Sequence, residues 1–422
     1  MKRRGSEARE PTAANAKIVD RNMKWSRLLC IAGLRLKSPT TWSGQEQLPR
    51  SGGVLIVSNH VSLTDPFTTV LAANRTIHYL ATQSALSQPI LGRVLRAYGA
   101  VPKRKFTTDV QAIRKLKRWR DLGRMIGIFP EGQRSWDGRL LEFIPGIDAL
   151  VRMMKVPVIT VRIYNADRQW PRWAESMRRG RVHFEFDAPV EFSRQDSGVD
   201  IHRHLRERLT IDLNQCPRWP VRGKNLALGV ENPVFACPRC YMIDGLRPHK
   251  DEIECQGCGS RWRMDTLNLM HGLGGAPSFS VIESIDRVRE YFSQRWVAHD
   301  TRYGAEGVIL ESAATTLLDT SPGNESVSLG TGYLQLRSDT LRLLAPSSRA
   351  TLWSIPLTEL TSVSVEMRRR LQFGTEKQRI EAVMPAESVV KWEWFLEHWR
   401  LEAQPEQRAK IDEYRARYRA PA

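Results

Sequence analysis

His60 and Asp65 stand five positions apart in the segment Asn59-His60-Val61-Ser62-Leu63-Thr64-Asp65-Pro66. That separation lets a strand-to-helix turn bring the carboxylate onto the imidazole. A histidine held by an aspartate can take a proton from a hydroxyl near neutral pH. A second polar segment, Phe129-Pro130-Glu131-Gly132-Gln133-Arg134-Ser135, lies further along. Each follows a short apolar run, Val54-Leu55-Ile56-Val57 and Met125-Ile126-Gly127-Ile128. An apolar run ending in turn-prone polar residues reads as a buried strand whose carboxyl end carries chemistry.

The elements that must position these groups alternate. A strand at 53–58 precedes a helix after Asp65, and a strand follows near Ile77–Leu80. A helix near Ile90–Tyr98, a basic stretch at 100–105 and a helix at 107–122 come next. Strand 124–129, helix 146–154, strand 157–163, strand Val182–Phe186 and helix 200–214 close the unit. This order predicts an α/β domain with a mostly parallel sheet.

The histidine, four intervening residues and an aspartate, followed by Phe-Pro-Glu-Gly-x-Arg-Ser, resemble the glycerolipid acyltransferases that acylate lysophosphatidic acid. Gly99-Ala100-Val101-Pro102-Lys103-Arg104-Lys105 resembles that family's second block, and Val156-Pro157-Val158-Ile159-Thr160 its fourth. The resemblance spans roughly residues 45–220, and the acyltransferase domain is placed at 45–222. It implies transfer of a fatty acyl group from acyl-CoA or acyl carrier protein to the free hydroxyl of a lysophospholipid, without a covalent acyl-enzyme. It implies His60 as general base, with Asp65 fixing its tautomer and stabilising the imidazolium. Arg104, Lys105, Glu131, Gly132 and Arg134 would bind the acceptor, with Arg134 on its phosphate because a guanidinium fork matches phosphate oxygens. Two departures stand out. Gln133 occupies a position where the family commonly has threonine, and the family's phosphate-binding arginine aligns with Lys105 while Arg104 sits one place earlier.

The formal charge of +18 is uneven. Residues 1–230 carry 40 Lys+Arg against 20 Asp+Glu (+20), and the remainder 24 against 26 (−2). All the excess positive charge belongs to the segment with the acyltransferase blocks. It suits an anionic membrane surface better than nucleic acid, which is not expected as a partner. Helix 107–122 carries Arg114, Lys115, Lys117, Arg118 and Arg120, and the loop around Trp170, Arg172, Trp173, Arg178, Arg179 and Arg181 mixes tryptophan with arginine as interfacial segments do. No apolar run reaches roughly 18 residues, so a spanning helix is not expected, and the N-terminus does not read as a secretory signal. Residues 1–20 read as a disordered tail and 21–37 as an amphipathic helix lying on a membrane or packed on the catalytic domain, within an N-terminal region of 1–44. The expected location is the cytoplasmic face of a membrane, bound peripherally.

Cys237-Pro238-Arg239-Cys240 and Cys255-Gln256-Gly257-Cys258 are two Cys-x-x-Cys knuckles separated by fourteen residues. That is the spacing of a structural zinc ribbon, placed at 232–270. Disulfides are the competing reading, and a reducing compartment disfavours them. Four thiolates leave no open coordination position, so the expected Zn²⁺ is structural. His249, Cys30 and Cys216 read as ordinary residues outside the ligand set.

After a helix at Val281–Trp296 the pattern turns strand-rich, with strands at 308–312, 333–337, 341–344, 351–356, 362–366, 370–374 and 379–384. A final helix bears the stripe Trp392, Phe395, Leu396 and Trp399. Seven strands closed by a helix resemble a pleckstrin-homology or GRAM-like domain, placed at 300–405. The competing function for the whole chain is a non-catalytic, membrane-associated adaptor or nucleic-acid binder using the zinc ribbon.

Overall fold

The computed structural model describes residues 10–103, 109–213, 216, 218–297, 307–321 and 326–418, with the backbone alone for 26–37, 296, 297 and 367. The chain divides into two compact units, Met1–Arg172 with Ser176–Gly223, and Trp173–Glu175 with Lys224–Arg419.

In the first unit seven strands form one sheet: β1 (Thr40–Ser43), β2 (Val54–Ser58), β3 (Ile77–Thr82), β4 (Val101–Lys103), β5 (Met125–Ile128), β6 (Val158–Tyr164) and β7 (Val182–Phe186). The spatial order is β1-β7-β6-β2-β5-β3-β4. Only the β6–β7 pairing is antiparallel; the other neighbours run parallel. Central β2 reads as a continuous apolar run because helices cover both its faces. Leu55 and Val57 pack with Leu116, Trp119, Val151 and Leu205 on one side. Val54 and Ile56 pack with Val70, Ala73 and Ile159 on the other. The short strands β1 and β4 lie at the two edges of the sheet and escaped the sequence reading.

The N-terminal helix corrects the expected tail. It runs Ala13–Lys37, so residues 13–20 are helical, while residues 1–9 lie outside the described part. Ala16 and Val19 are buried. Asp20 takes two 2.7 Å hydrogen bonds from Arg124, and Asn22 donates to the Ala97 carbonyl. The first half of this helix therefore packs on the domain, and Trp25 is 67% exposed. Among the described residues no helix is long and apolar enough to cross a membrane.

In the loop read as interfacial, Arg179 and Arg181 are exposed and Trp170 is half-buried, but the other three residues lie inside. Arg172, Trp173 and Arg178 are buried. Arg178 donates to the Arg168 carbonyl, so its charge is spent inside the fold.

In the second unit a five-stranded antiparallel meander runs from Leu246–His249 to Phe279–Ser280. A seven-stranded antiparallel sheet follows, opened by the long hairpin Val308–Asp319 and Val327–Arg337 and ended by Arg379–Val383. Helix Val389–Glu402 buries Trp392, Phe395 and Leu396. Both hairpin strands are longer than their sequence pattern suggested, because their outer halves extend beyond the apolar alternation.

Candidate active site

β2 and β5 are parallel neighbours with Val57 opposite Ile128, so the polar segments that follow them emerge at the same end of the sheet. Asn59 fixes the first turn. Its side-chain amide donates to the Ile163 carbonyl and accepts from the Ile163 N–H, extending the β2–β6 pairing by side chain while the main chain turns away. His60 then projects with its side chain 18% exposed.

Asp65 is fully buried at the first turn of helix Asp65–Ala73, where the helix dipole favours a negative charge. Its Oδ2 accepts from His60 Nδ1 at 2.9 Å, from the Val61 N–H at 2.7 Å and from the Ser62 N–H at 2.8 Å. The imidazole proton is thereby held on Nδ1, which leaves the Nε2 lone pair available. No described residue hydrogen-bonds Nε2. Burial pulls the His60 pKa below 6.5, the Asp65 bond and charge oppose this, and the charges of Arg134 and Arg172 add to the lowering.

Glu131 ties the two segments together. It accepts from the His60 backbone N–H at 2.6 Å and from the Leu141 N–H at 2.8 Å. Burial raises its carboxyl to about 8, against the pull of those two donors. The Ser135 N–H returns a 2.8 Å bond to the His60 carbonyl. Gly132 has φ +69°, and a Cβ there would meet Ile144 Cγ2 at 2.8 Å, so the turn requires glycine. Arg134 is partly exposed beside this turn. Arg104 and Lys105 lie outside the described residues.

Two features were missed in the sequence. The first is an aromatic stack. Phe129 lies flat on the His60 ring at 3.9 Å and 14°, and Tyr79 lies on Phe129 at 5.1 Å and 12°. Gly127 makes room for it, because a Cβ would sit 2.2 Å from Tyr79 Cε1. A glycine inside an apolar strand was the available signal. The second is Arg172, which donates to the Arg134 carbonyl at 2.6 Å and lies over the Trp136 ring at 4.1 Å. Nothing local in the sequence joins residues 172 and 134.

The four knuckle cysteines of the second unit converge. All four Sγ atoms lie within 4.8 Å of one another, with Cys237 and Cys258 at 3.9 Å and Cys240 and Cys255 at 3.6 Å. A zinc tetrahedron with bonds of about 2.3 Å has sulfur–sulfur edges of about 3.8 Å, so the cluster fits that ion. Gly259, at φ +66°, allows the second knuckle to turn, and at Gly257 a Cβ would meet Met242 Sδ at 2.5 Å.

Residues 40–164 match the family model described as Acyltransferase. The chain is 29% identical over 170 residues to the chloroplastic 1-acyl-sn-glycerol-3-phosphate acyltransferase BAT2 of Brassica napus, covering 39% of this chain and 49% of that protein. It spans about half the length of the curated relatives it matches. Among solved structures, the 1-acyl-sn-glycerophosphate acyltransferase PlsC of Thermotoga maritima aligns at 24% identity and a TM-score of 0.36, covering 46% of this chain and 75% of that one. The N-terminal pleckstrin-homology domain of human ARAP2 aligns at 13% identity and a TM-score of 0.19, covering 24% and 88%.

Proposed function

We propose that this chain transfers a fatty acyl group from a thioester donor, acyl-CoA or acyl carrier protein, to the free hydroxyl of a lysophospholipid of the 1-acylglycerol-3-phosphate type. The observation that carries the reading is the His60–Asp65 pair, with Nδ1 engaged at 2.9 Å and Nε2 open. The acceptor class is supported by the names of the relatives, all 1-acyl-sn-glycerol-3-phosphate acyltransferases.

His60 Nε2 takes the proton of the acceptor hydroxyl as its oxygen attacks the thioester carbonyl. The carbon–sulfur bond then breaks, and the imidazolium returns the proton to the departing thiolate. Asp65 stabilises the imidazolium throughout. Arg134 supplies charge for the acceptor phosphate, and Arg172 holds the Arg134 backbone and adds a second guanidinium nearby. General base catalysis contributes about 10²–10⁴-fold, and positioning supplies the remainder.

The four cysteines would hold a structural zinc ion that braces the second unit and takes no part in acyl transfer. The positive excess of residues 1–230 supports peripheral attachment to an anionic membrane at its cytoplasmic face. The test is acyl transfer to lysophosphatidate with each donor in turn. His60→Ala should abolish the reaction with the chain still folded, and an active His60→Ala protein would overturn the mechanism. Cosedimentation with anionic vesicles, lost at high salt, tests the membrane attachment.

A further inference from the structure

Behind the catalytic domain, a groove of about 490 Å³ is lined by Lys117, Arg152, Met153, Lys155 and Arg194. Its cations come from separate places in the sequence: helix Val110–Asp121, helix Ile147–Met154 with the residue that ends it, and the segment before helix Gly198–Leu209. The end of helix Ile147–Met154 leads into the start of β6. The groove therefore lies towards the end of the sheet where β2 and β6 begin, away from His60.

The charges here are poorly compensated. Arg152 is paired with Asp148 at 2.8 Å and donates to the Asp196 carbonyl, and the Asp196 carboxylate is engaged by the Ser193 N–H. Neighbouring Arg120 is spent on Asp121 and on the Met153 and Met154 carbonyls. Lys117, Lys155 and Arg194 have no hydrogen-bond or ion-pair partner among the described residues. Lys155 and Arg194 are exposed, so water screens much of their mutual repulsion, and an anion in the concavity would relieve what remains. Lys155 closes its helix at φ +46°, a left-handed position that favours glycine.

We propose that this groove binds a phosphomonoester dianion, at a site separate from the catalytic one. Three unpaired cations favour a group carrying about −2 over a singly charged phosphodiester. Such a group is carried by a phosphatidate headgroup or by a soluble glycerol phosphate.

The test uses the full chain in an Arg134→Ala background, which removes the proposed acceptor contact. Binding is measured to phosphatidylcholine vesicles doped with phosphatidate, to the same vesicles doped with phosphatidylglycerol, and to glycerol 3-phosphate. Adding Lys117→Ala, Lys155→Gly and Arg194→Ala should weaken phosphatidate binding roughly tenfold or more. Lys155→Gly relieves the left-handed position, and an unchanged melting temperature without ligand controls for folding. A parallel loss of glycerol 3-phosphate binding identifies a soluble ester as a ligand, and a loss confined to vesicles identifies the lipid headgroup. Equal binding with and without the three cations, or equal binding to phosphatidylglycerol, overturns the proposal. The same three changes alone in the wild-type chain should leave acyl transfer intact, so failure here is distinguishable from failure of the proposed reaction.

Discussion

The backbone N–H of His60 donates to Glu131 Oε1 at 2.6 Å across 71 positions of sequence. The buried Glu131 carboxyl group thus sets the height of the histidine above the sheet, while Asp65 sets its rotation. Glu131→Gln keeps the shape but offers one acceptor oxygen to two N–H donors and turns an amide N–H₂ on the other. Leaving such a donor unmatched costs about 1–3 kcal/mol. The expected result is a fall in kcat/KM of roughly 5- to 150-fold, read by acyl transfer, with a native far-ultraviolet dichroism spectrum.

Asp65→Asn tests the other restraint. An asparagine oxygen can keep the Val61 and Ser62 donors, but its N–H₂ then occupies the buried Oδ1 position, where no partner is present. Loss of imidazolium stabilisation should lower kcat about 10²–10⁴-fold. Urea unfolding should show a stability loss of about 1–3 kcal/mol.

The pH profile follows from the lowered His60 pKa. The reaction needs neutral imidazole, so kcat/KM should fall only once the pH drops below 6.5, as His60 becomes protonated. Arg172→Gln removes one cation that lowers this pKa. Its acid limb should therefore move to higher pH than in the wild-type chain, as rate profiles of the two proteins would show. Coinciding limbs would mean that Arg172 does not act on His60 electrostatically.

Gly127→Ala places a methyl group against the Tyr79 ring. Overpacking of this kind typically costs about 1–3 kcal/mol. Because Tyr79, Phe129 and His60 are stacked in sequence, activity should fall as well. Adding Tyr79→Ala should relieve the clash and recover part of the stability lost to Gly127→Ala, measured by a double-mutant cycle.

One zinc ion per chain is expected by elemental analysis of purified protein. Cys240→Ser should lower that ratio and the melting temperature of the second unit while leaving the His60–Asp65 geometry unaffected. Wild-type protein free of metal yet equally stable would remove the structural role.

Much of this molecule is written locally. The apolar runs before His60 and Glu131, the spacing of His60 to Asp65, the two cysteine knuckles and the alternation in the C-terminal strands each act over a few residues, where periodicity and turn chemistry suffice. The helix expected at 107–122 starts later, at Val110, where Asp109 caps it by accepting the Ala112 N–H. The tryptophan–arginine loop misled because composition alone does not say which arginines will find buried carbonyls. What only the tertiary structure decided is adjacency. β2 and β5 become neighbours although β3 and β4 intervene in sequence, and that pairing puts Glu131 under His60. The same folding lays Phe129 on the imidazole and Arg172 on the Arg134 carbonyl. Side-chain period fixes the face a residue occupies, whereas strand order depends on packing across the whole sheet.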